Sequence, residues 1–351
     1  MPGASSSAVR LDLAAVAAFC DGHGIGDGAL HAERLGDGHS NLTYLVERGD
    51  RRFVLRRPPP PPLPPSAHDM LRESTIVAGL HRAGARVPEV LAVCADPAVL
   101  GVPFYLMTLA DGLALDTSLP AAIDTPAERA RLGRDAVDAL VELHGIAPGA
   151  AGLESIGRPT GYLARQVRRF MGLWEVNRTR DLPQVAEVGA LLAATVPDSG
   201  AATIVHGDYR VGNLLVAADA PGRVTAILDW ELGTIGDPLA DLGYLVSAYT
   251  DRDAPPGEGI VELSPVTRAA GFPTRPELAA HYAERSGRPV EHLAWYEALG
   301  HWKAAIFCEN MYQRYLAGER SDDFARLMET GVPAKLESAV AALCRYRNGT
   351  E

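Results

Sequence analysis

The sequence predicts an α+β protein with two unequal parts, a smaller N-terminal part rich in β-strands and a larger C-terminal part that is mostly helical. Three observations support this prediction. Short apolar runs alternate with glycine-containing turns within residues 35–56 and 90–112, as is typical of antiparallel strands. From residue 127 onward, apolar residues recur at helical spacing. Within this helical part, residues 204–229 contain two short apolar runs that flank polar residues.

Composition argues against several classes of protein. The chain of 351 residues is 47% hydrophobic, so it is long and apolar enough to form two lobes with buried cores. A net charge of -11 argues against nucleic acid as a partner. The four cysteines are isolated, which indicates reduced thiols and no structural metal. Because the sequence shows no secretory leader and no apolar run long enough to span a bilayer, we expect a cytoplasmic protein without a membrane partner.

The N-terminal part begins with a short predicted helix at residues 11–19, which we interpret as an appendage. Strands are predicted where apolar runs are bounded by turn residues, at residues 42–46, 53–56, 90–93 and 104–107. A proline run, residues 58–65, can form only an extended or irregular spacer. It is followed by a predicted helix at residues 67–80.

A glycine-rich segment, residues 35–41, precedes the first of these strands. Gly36, Gly38 and Ser40 lie within it, and such a loop lets backbone N–H groups approach phosphate closely. The segment departs from the pattern G-x-G-x-x-G, because Asn41 stands at the third glycine position. An ordinary hairpin turn can also contain two glycines, and only the motifs that follow favour phosphate binding.

Helices of the C-terminal part are predicted at residues 127–144, 162–174, 182–196 and 237–249. His144 ends the first of them, and we interpret it as a capping or packed residue rather than a base. Arg165, Arg168 and Arg169 share one face of the second helix. This face is either a solvated basic surface or a patch for an anionic substrate such as a CoA phosphate.

The most informative segment runs from Ile204 to Val216, where an acid, a cation and an amide lie between two strand-like runs. Asp208 and Asn213 are five residues apart, as are the base and the magnesium-binding amide of the kinase loop H-R-D-x-x-x-x-N. A turn and a second apolar run follow, and this run ends at Asp229. If the two runs pair as a hairpin, Asn213 and Asp229 become neighbours and present two oxygen ligands that suit Mg²⁺.

The residues also resemble a known family. His206-Gly207-Asp208 with Asn213, then the runs I-L-D-W-E at residues 227–231 and G-D-P-L-A-D-L at residues 236–242, resemble the aminoglycoside phosphotransferase and choline kinase family. The resemblance covers most of the chain, and it is closest to the branch sometimes fused to an acyl-CoA dehydrogenase domain. It implies a two-lobed protein-kinase-like fold, with lobes at residues 1–108 and 109–351. It also implies transfer of the terminal phosphate of ATP to a hydroxyl of a small molecule.

The resemblance assigns roles to individual residues. Asp208 would orient or deprotonate the acceptor hydroxyl, while Asn213 and Asp229 would hold Mg²⁺ against the ATP phosphates. Arg56 occupies the position of the phosphate-gripping lysine of protein kinases, with Arg57 as the alternative, and Glu73 on the next helix would be its partner. The resemblance also implies a hinge between the lobes, at the end of the predicted strand 104–107. Three residues there would meet the adenine edge through their backbone: Thr108, Leu109 and Ala110.

Two residues near the catalytic loop have other expected roles. Arg210 would either neutralise charge on the transferring phosphate or tie the loop in place. Asp241 would accept backbone N–H bonds from the catalytic loop and hold its shape. For the acceptor we favour a small metabolite such as a hydroxyacyl-CoA, with an aminoglycoside as the alternative. A nucleotide-binding regulator without catalysis is the competing class, although such a protein would not need Asp208.

Overall fold

The computed structural model describes residues 11–36, 41–60, 68–115, 118–123, 125–198, 200–254, 262–320 and 322–349. The chain divides into two compact units, Met1–Ala110 and Asp111–Glu351. The division falls two residues after the boundary that we expected at residue 108. The described part of the chain contains no helix with the length and apolar composition needed to cross a membrane.

The first unit is built around one antiparallel sheet of five strands in the order β1-β2-β3-β5-β4. Its elements in chain order are α1 (Leu13–His23), β1 (Leu30–Arg34), β2 (Leu42–Arg48), β3 (Arg51–Arg57), α2 (Met70–Arg82), β4 (Val90–Cys94), α3 (Pro97–Leu100) and β5 (Phe104–Thr108). The predicted strands and the predicted helix before β4 are therefore present, with bounds that shift by up to three residues.

Strand alternation gives the sheet two different faces. Phe53 and Leu55 on β3 belong to a core cluster that also contains Val16 and Cys20 of α1. Val54 lies on the opposite face, in a cluster with Met70 of α2. Because successive side chains of a strand point to opposite sides, each face is covered by its own helix. Helix α1, which we interpreted as an appendage, is thus part of the core of this unit.

The second unit is mostly helical. Its elements are β6 (Leu113–Ala114), α4 (Pro126–Gly145), α5 (Tyr162–Asn177), α6 (Pro183–Ala194), β7 (Thr203–Val205), β8 (Leu214–Val216), β9 (Val224–Ile227), β10 (Thr234–Gly236), α7 (Leu239–Ala248), α8 (Arg275–Ser286), α9 (Leu293–Leu316) and α10 (Asp323–Asn348). Strands β8 and β9 pair antiparallel, with Leu214 opposite Ile227. The predicted hairpin is therefore confirmed. Strands β7 and β10 form a separate antiparallel pair.

Helix α9 is the centre of the helical core. Trp295 and Trp302 are fully buried on it, and the indole N–H of Trp302 donates to the carbonyl oxygen of Val185 at 2.9 Å. A side chain at Gly243 of α7 would come within 2.5 Å of the backbone of Tyr296, so glycine is needed where these two helices cross. Helices α7 and α9 thus pack closely together, and both contact the loop between β7 and β8.

Candidate functional site

The structure brings Arg56 and Glu73 together in the first unit. Arg56 Nε lies 2.8 Å from Glu73 Oε1, and the two side chains are only 12% and 2% exposed. Arg56 pairs across the sheet with Thr43 on one side and Tyr105 on the other. The guanidinium also donates to Thr43 Oγ1 at 3.3 Å, and the Tyr105 hydroxyl donates to Glu73 Oε1 at 3.2 Å. Three strands and α2 therefore fix the position of this ion pair.

Arg57, the alternative to Arg56, lies on the other face of the sheet because it is the next residue of β3. Its Nε donates to the carbonyl oxygen of Pro58 at 3.2 Å. Burial lowers the pKa of its guanidinium. Of the two arginines, Arg56 is the one that meets Glu73.

Asn41 explains the departure from the glycine pattern. Its Nδ2 donates to Glu73 Oε2 at 3.5 Å, and its Oδ1 accepts from His68 Nδ1 at 2.9 Å. The asparagine thus anchors the end of the glycine-rich segment to the carboxylate that binds Arg56. Gly36 has a left-handed backbone with φ of 64°. Gly38 and Ser40 lie outside the described residues.

The segment that we expected at the hinge begins at the end of β5. The Thr108 N–H donates to the carbonyl oxygen of Glu89 at 2.8 Å, and the Thr108 hydroxyl accepts from the Glu89 N–H at 3.0 Å. These two bonds engage Thr108 within its own unit. Leu109 and Ala110 follow the strand, and Ala110 is the last residue of the unit.

Asp241 holds the backbone of the loop between β7 and β8, as predicted. Its Oδ2 accepts from the His206 N–H at 2.6 Å and its Oδ1 accepts from the Gly207 N–H at 2.7 Å. His144 Nε2 lies 3.3 Å from the same carboxylate and its Nδ1 lies 2.8 Å from the Tyr282 hydroxyl. His144 is thus a buried, packed residue. Burial acts to raise the pKa of Asp241, but His144, His206 and the Gly207 N–H together lower it below its ordinary value.

His206 connects the loop to the end of β9. Its Nδ1 accepts from the Asp208 N–H at 3.2 Å, so its Nε2 carries the proton and donates to the carbonyl oxygen of Leu228 at 2.8 Å. The ring packs edge-on against Trp230, with 4.7 Å between the ring centroids. Gly207, the next residue, has φ of 86°, a backbone conformation that favours glycine.

The carboxylate of Asp208 is held by neighbouring side chains but still reaches solvent, with 23% of the side chain exposed. Its Oδ2 accepts from Asn213 Nδ2 at 2.9 Å. The buried Tyr244 lies near it, and burial together with the Asp208 charge raises the pKa of Tyr244 well above its ordinary value. The phenol therefore stays protonated. These contacts orient a carboxylate that can accept a proton.

Asn213 and Asp229 lie side by side at the open end of the β8–β9 hairpin. The Asn213 carbonyl accepts from the Leu228 N–H at 2.9 Å, and Asp229 follows directly. Asn213 Nδ2 is bound to Asp208, which directs the amide oxygen away from that carboxylate. Asp229 has φ of 68° and ψ of 67°. Such a conformation costs a non-glycine residue about 1–3 kcal/mol and is concentrated at functional sites.

Asn213 and Asp229 fit a magnesium site in which the protein supplies only one or two of the oxygen ligands. Within the described ranges no group of three or more His, Cys, Asp and Glu residues could hold a metal ion. Mg²⁺ commonly takes one or two protein oxygens and completes its octahedron with phosphate and water. An amide oxygen from Asn213 and a carboxylate from Asp229 match that donor chemistry.

Arg210 makes a loop-tying contact. Its guanidinium donates from Nη1 to the carbonyl oxygen of Leu263 at 3.1 Å, and its Nε lies 3.8 Å from Asp208 Oδ2.

The predicted basic face of α5 is smaller in the structure than in the sequence. Arg165 donates to the carbonyl oxygens of Arg158 and Thr160, so its guanidinium stabilises the turn before the helix. Arg168 and Arg169 are exposed. The predicted basic face is thereby reduced to two arginines.

Sequence analysis did not identify Lys303 or Tyr244 as site residues. Lys303 lies on α9, 96 residues after Gly207, and its Nζ donates to the Gly207 carbonyl at 3.0 Å. Tyr244 lies three residues after Asp241 on α7. The sequence feature that could have identified Lys303 is that it is the single lysine in the otherwise apolar run at residues 302–308 of α9.

The fold and the loop geometry together define a kinase-like protein. Residues 31–299 match the model of the phosphotransferase enzyme family, APH, and the chain belongs to this family. It is 34% identical to acyl-CoA dehydrogenase family member 11 of Gallus gallus over 86% of this chain and 39% of that protein. It is 33% identical to acyl-CoA dehydrogenase family member 10 of Mus musculus over 85% of this chain and 28% of that protein. The chain thus spans well under half the length of these relatives.

Solved structures confirm the fold. A protein of Ralstonia eutropha with the provisional name of aminoglycoside phosphotransferase has a TM-score of 0.77 and 29% identity, with 95% of this chain and 99% of that chain covered. A thermostable variant of the aminoglycoside phosphotransferase APH(4)-Ia, bound to AMP-PNP and hygromycin B, has a TM-score of 0.59 and 18% identity. That comparison covers 92% of this chain and 98% of the other. The predicted family and the α+β, kinase-like fold are therefore both confirmed.

Proposed function

We propose that this phosphotransferase moves the terminal phosphate of Mg-ATP to a hydroxyl of a small molecule, with Asp208 as the catalytic base. The observation that supports this most directly is the fixed carboxylate of Asp208. Asn213 orients it, Asp241 binds the backbone before it, and it stays accessible. A binding protein without catalysis has no need of such a carboxylate, so we favour an enzyme over a regulator.

In this proposal the acceptor hydroxyl gives its proton to Asp208 as its oxygen forms a bond to the terminal phosphorus. The bond from that phosphorus to the bridging oxygen breaks at the same time, and ADP leaves. Arg210, 3.8 Å from Asp208, would neutralise charge on the transferring group in addition to its contact with Leu263.

Other residues would bind the nucleotide and its metal ion. Asn213 and Asp229 would hold Mg²⁺, which when bound supplies positive charge to the phosphates. In the first unit, Arg56, fixed by Glu73, would grip phosphate oxygens through its fork of donors. Backbone N–H groups of the glycine-rich segment, including Gly36, Gly38 and Ser40, would approach the phosphates. The adenine edge would meet the backbone of Leu109 and Ala110, since Thr108 is engaged by Glu89.

For the acceptor we propose a hydroxyl-bearing acyl-CoA. The relatives that match over most of this chain carry the name acyl-CoA dehydrogenase and extend well beyond the matched part. A kinase domain joined to a dehydrogenase is expected to share its substrate class. The exposed Arg168 and Arg169 offer charge for an anionic acceptor. The alternative is an aminoglycoside, in keeping with the names of the structural neighbours and the net charge of -11.

We expect a panel of hydroxyacyl-CoA esters, amino alcohols, sugars and aminoglycosides to show phosphate transfer only to the acyl-CoA class. Transfer is measured as labelled phosphate moved from ATP to each compound, with product mass as confirmation. Transfer to aminoglycosides alone would replace the proposed acceptor and leave the kinase mechanism intact. Binding of Mg-ATP without transfer to any compound would instead support the regulator.

Thermal melting tests the metal ligands separately from the acceptor. ATP is expected to raise the melting temperature much more with Mg²⁺ than with EDTA, because Asn213 and Asp229 reach the phosphates through the ion. Asp229→Ala should lose the magnesium-dependent part of the shift. Asp219→Ala is the matched control, since Asp219 is an exposed aspartate on the turn at the other end of the same hairpin. Equal shifts with Mg²⁺ and EDTA in the wild-type protein would refute the metal assignment.

A further inference from the structure

Lys303 is a buried cation directly behind the catalytic loop. The residue is 5% exposed, and its Nζ donates to the carbonyl oxygen of Gly207, the residue before Asp208, at 3.0 Å. The rings of Phe170 on α5 and Tyr244 on α7 each lie with their centroids 5.1 Å from Nζ. The ammonium is thus enclosed by two aromatic rings and one loop carbonyl.

Gly207 is held at both ends of its backbone by opposite charges. Its N–H donates to the Asp241 carboxylate at 2.7 Å and its carbonyl accepts from the Lys303 ammonium at 3.0 Å. Hydrogen bonds to charged groups are stronger than those between neutral groups. Gly207 has φ of 86° and immediately precedes Asp208. This pair of bonds therefore fixes the backbone from which the Asp208 side chain projects.

The burial of this charge needs an explanation. No carboxylate of the described residues lies within 4 Å of the ammonium, so Lys303 is not part of a direct ion pair. A buried cation without such a partner is costly, and cation–π contacts with Phe170 and Tyr244 offset only part of that cost. A neutral side chain at this position would pack against the same rings without the penalty. The charge is therefore better explained by its effect on the loop than by stability.

We propose that Lys303 is a positioning residue for phosphoryl transfer, which fixes the Gly207 carbonyl so that Asp208 faces the acceptor. The proposal rests on the role of Asp208 proposed above. Lys303 itself need not touch the substrate, because it acts through the loop backbone.

The surroundings of Lys303 predict how this effect depends on pH. The charged groups that act on it are Asp208 on the loop, Asp241 on α7 and Arg169 on α5. Burial is the largest influence and lowers the pKa of Lys303 to about 8, although the two aspartates oppose it. The ammonium is present below that pH and lost above it. The turnover number should therefore fall as the pH rises through about 8.

Lys303→Met tests this with Lys335→Met as the matched control, since Lys335 is also 5% exposed but lies on α10. At pH 7, Lys303→Met is expected to reduce the turnover number about ten- to a hundredfold, the effect of losing one hydrogen bond from a charged donor. Affinity for Mg-ATP should stay within a few-fold. The decline near pH 8 should disappear in Lys303→Met, move to higher pH in Lys303→Arg, and remain in Lys335→Met.

Hydrogen exchange of the loop amides at residues 206–208 provides a readout that needs no acceptor. Lys303→Met should exchange these amides faster than the wild-type protein and Lys335→Met. If transfer is found but Lys303→Met keeps the wild-type turnover and pH profile, the positioning role is wrong while the kinase proposal stands. If no acceptor is phosphorylated, the kinase proposal fails, and unchanged loop exchange in Lys303→Met would overturn the positioning role independently. Equal losses of turnover in both methionine variants would show a general stability effect and also overturn it.

Discussion

Asp208→Asn is expected to abolish phosphoryl transfer while affinity for Mg-ATP stays within a few-fold of the wild-type value. The substitution keeps the size of the side chain, and its amide oxygen can still accept the bond from Asn213 Nδ2. It removes the negative charge that accepts the hydroxyl proton, an effect worth about 10²–10⁴ in rate for a general base. The loop itself should persist, because Asp241 and Lys303 hold it through the backbone of His206 and Gly207.

The measurement is single-turnover transfer with the acceptor found in the panel, beside calorimetric titration with Mg-ATP. Asp219→Asn on the exposed turn of the same hairpin is the control for the aspartate-to-asparagine change. A variant that keeps more than about a tenth of the wild-type rate would show that Asp208 is not the base. Loss of Mg-ATP affinity together with rate would indicate that the carboxylate serves the nucleotide instead.

The geometry of the loop between β7 and β8 could be predicted because its determinants are close in sequence. Asp208 and Asn213 are separated by five residues within one loop, and the turn that follows determines which residue of the returning strand lies beside Asn213. Antiparallel pairing then places Leu228 opposite Asn213, with Asp229 directly after it, without knowledge of the rest of the chain. The ion pair of Arg56 and Glu73 could be predicted because one residue lies on a strand and the other on the next helix of the chain. The separation of Arg56 from Arg57 follows from strand alternation once the two faces of the sheet are known.

The parts that sequence could not supply depend on packing between distant elements. Lys303 meets Gly207 only because α9 lies beneath the loop, and its apolar neighbours on the helix indicated nothing beyond burial. Asn41 departs from the glycine pattern, and the reason is its hydrogen bond to Glu73, which lies 32 residues later in the chain. The polar and apolar residues of helix α1 are not clearly segregated to opposite faces. Its place in the core depends on Phe53 and Leu55 of β3, which lies later in the chain.

Asp241→Ala is expected to lower the melting temperature by at least about 5 °C and to abolish transfer. The substitution leaves the buried N–H groups of His206 and Gly207 and the ring of His144 without their acceptor. Each buried unsatisfied group costs about 1–3 kcal/mol, and roughly 2–4 °C of melting temperature is lost per kcal/mol in a domain of this size. Asp138→Ala is the control, because its partners His281 and Arg285 form a partly exposed ion-pair group worth little.

The acid dependence of melting adds a test that a simple packing defect would not pass. The pKa of Asp241 is lowered in the folded protein, so its contribution to stability is present above the ordinary aspartate pKa of 3.8 and is lost as the pH falls below it. The difference in melting temperature between wild type and Asp241→Ala should therefore be full at pH 6–7 and narrow on acidification. Asp241→Asn offers one acceptor oxygen to two N–H donors. Its melting temperature should therefore lie between those of the wild type and Asp241→Ala. A melting temperature for Asp241→Ala within a degree of that for Asp138→Ala, with transfer retained, would mean that the loop holds its shape without this carboxylate.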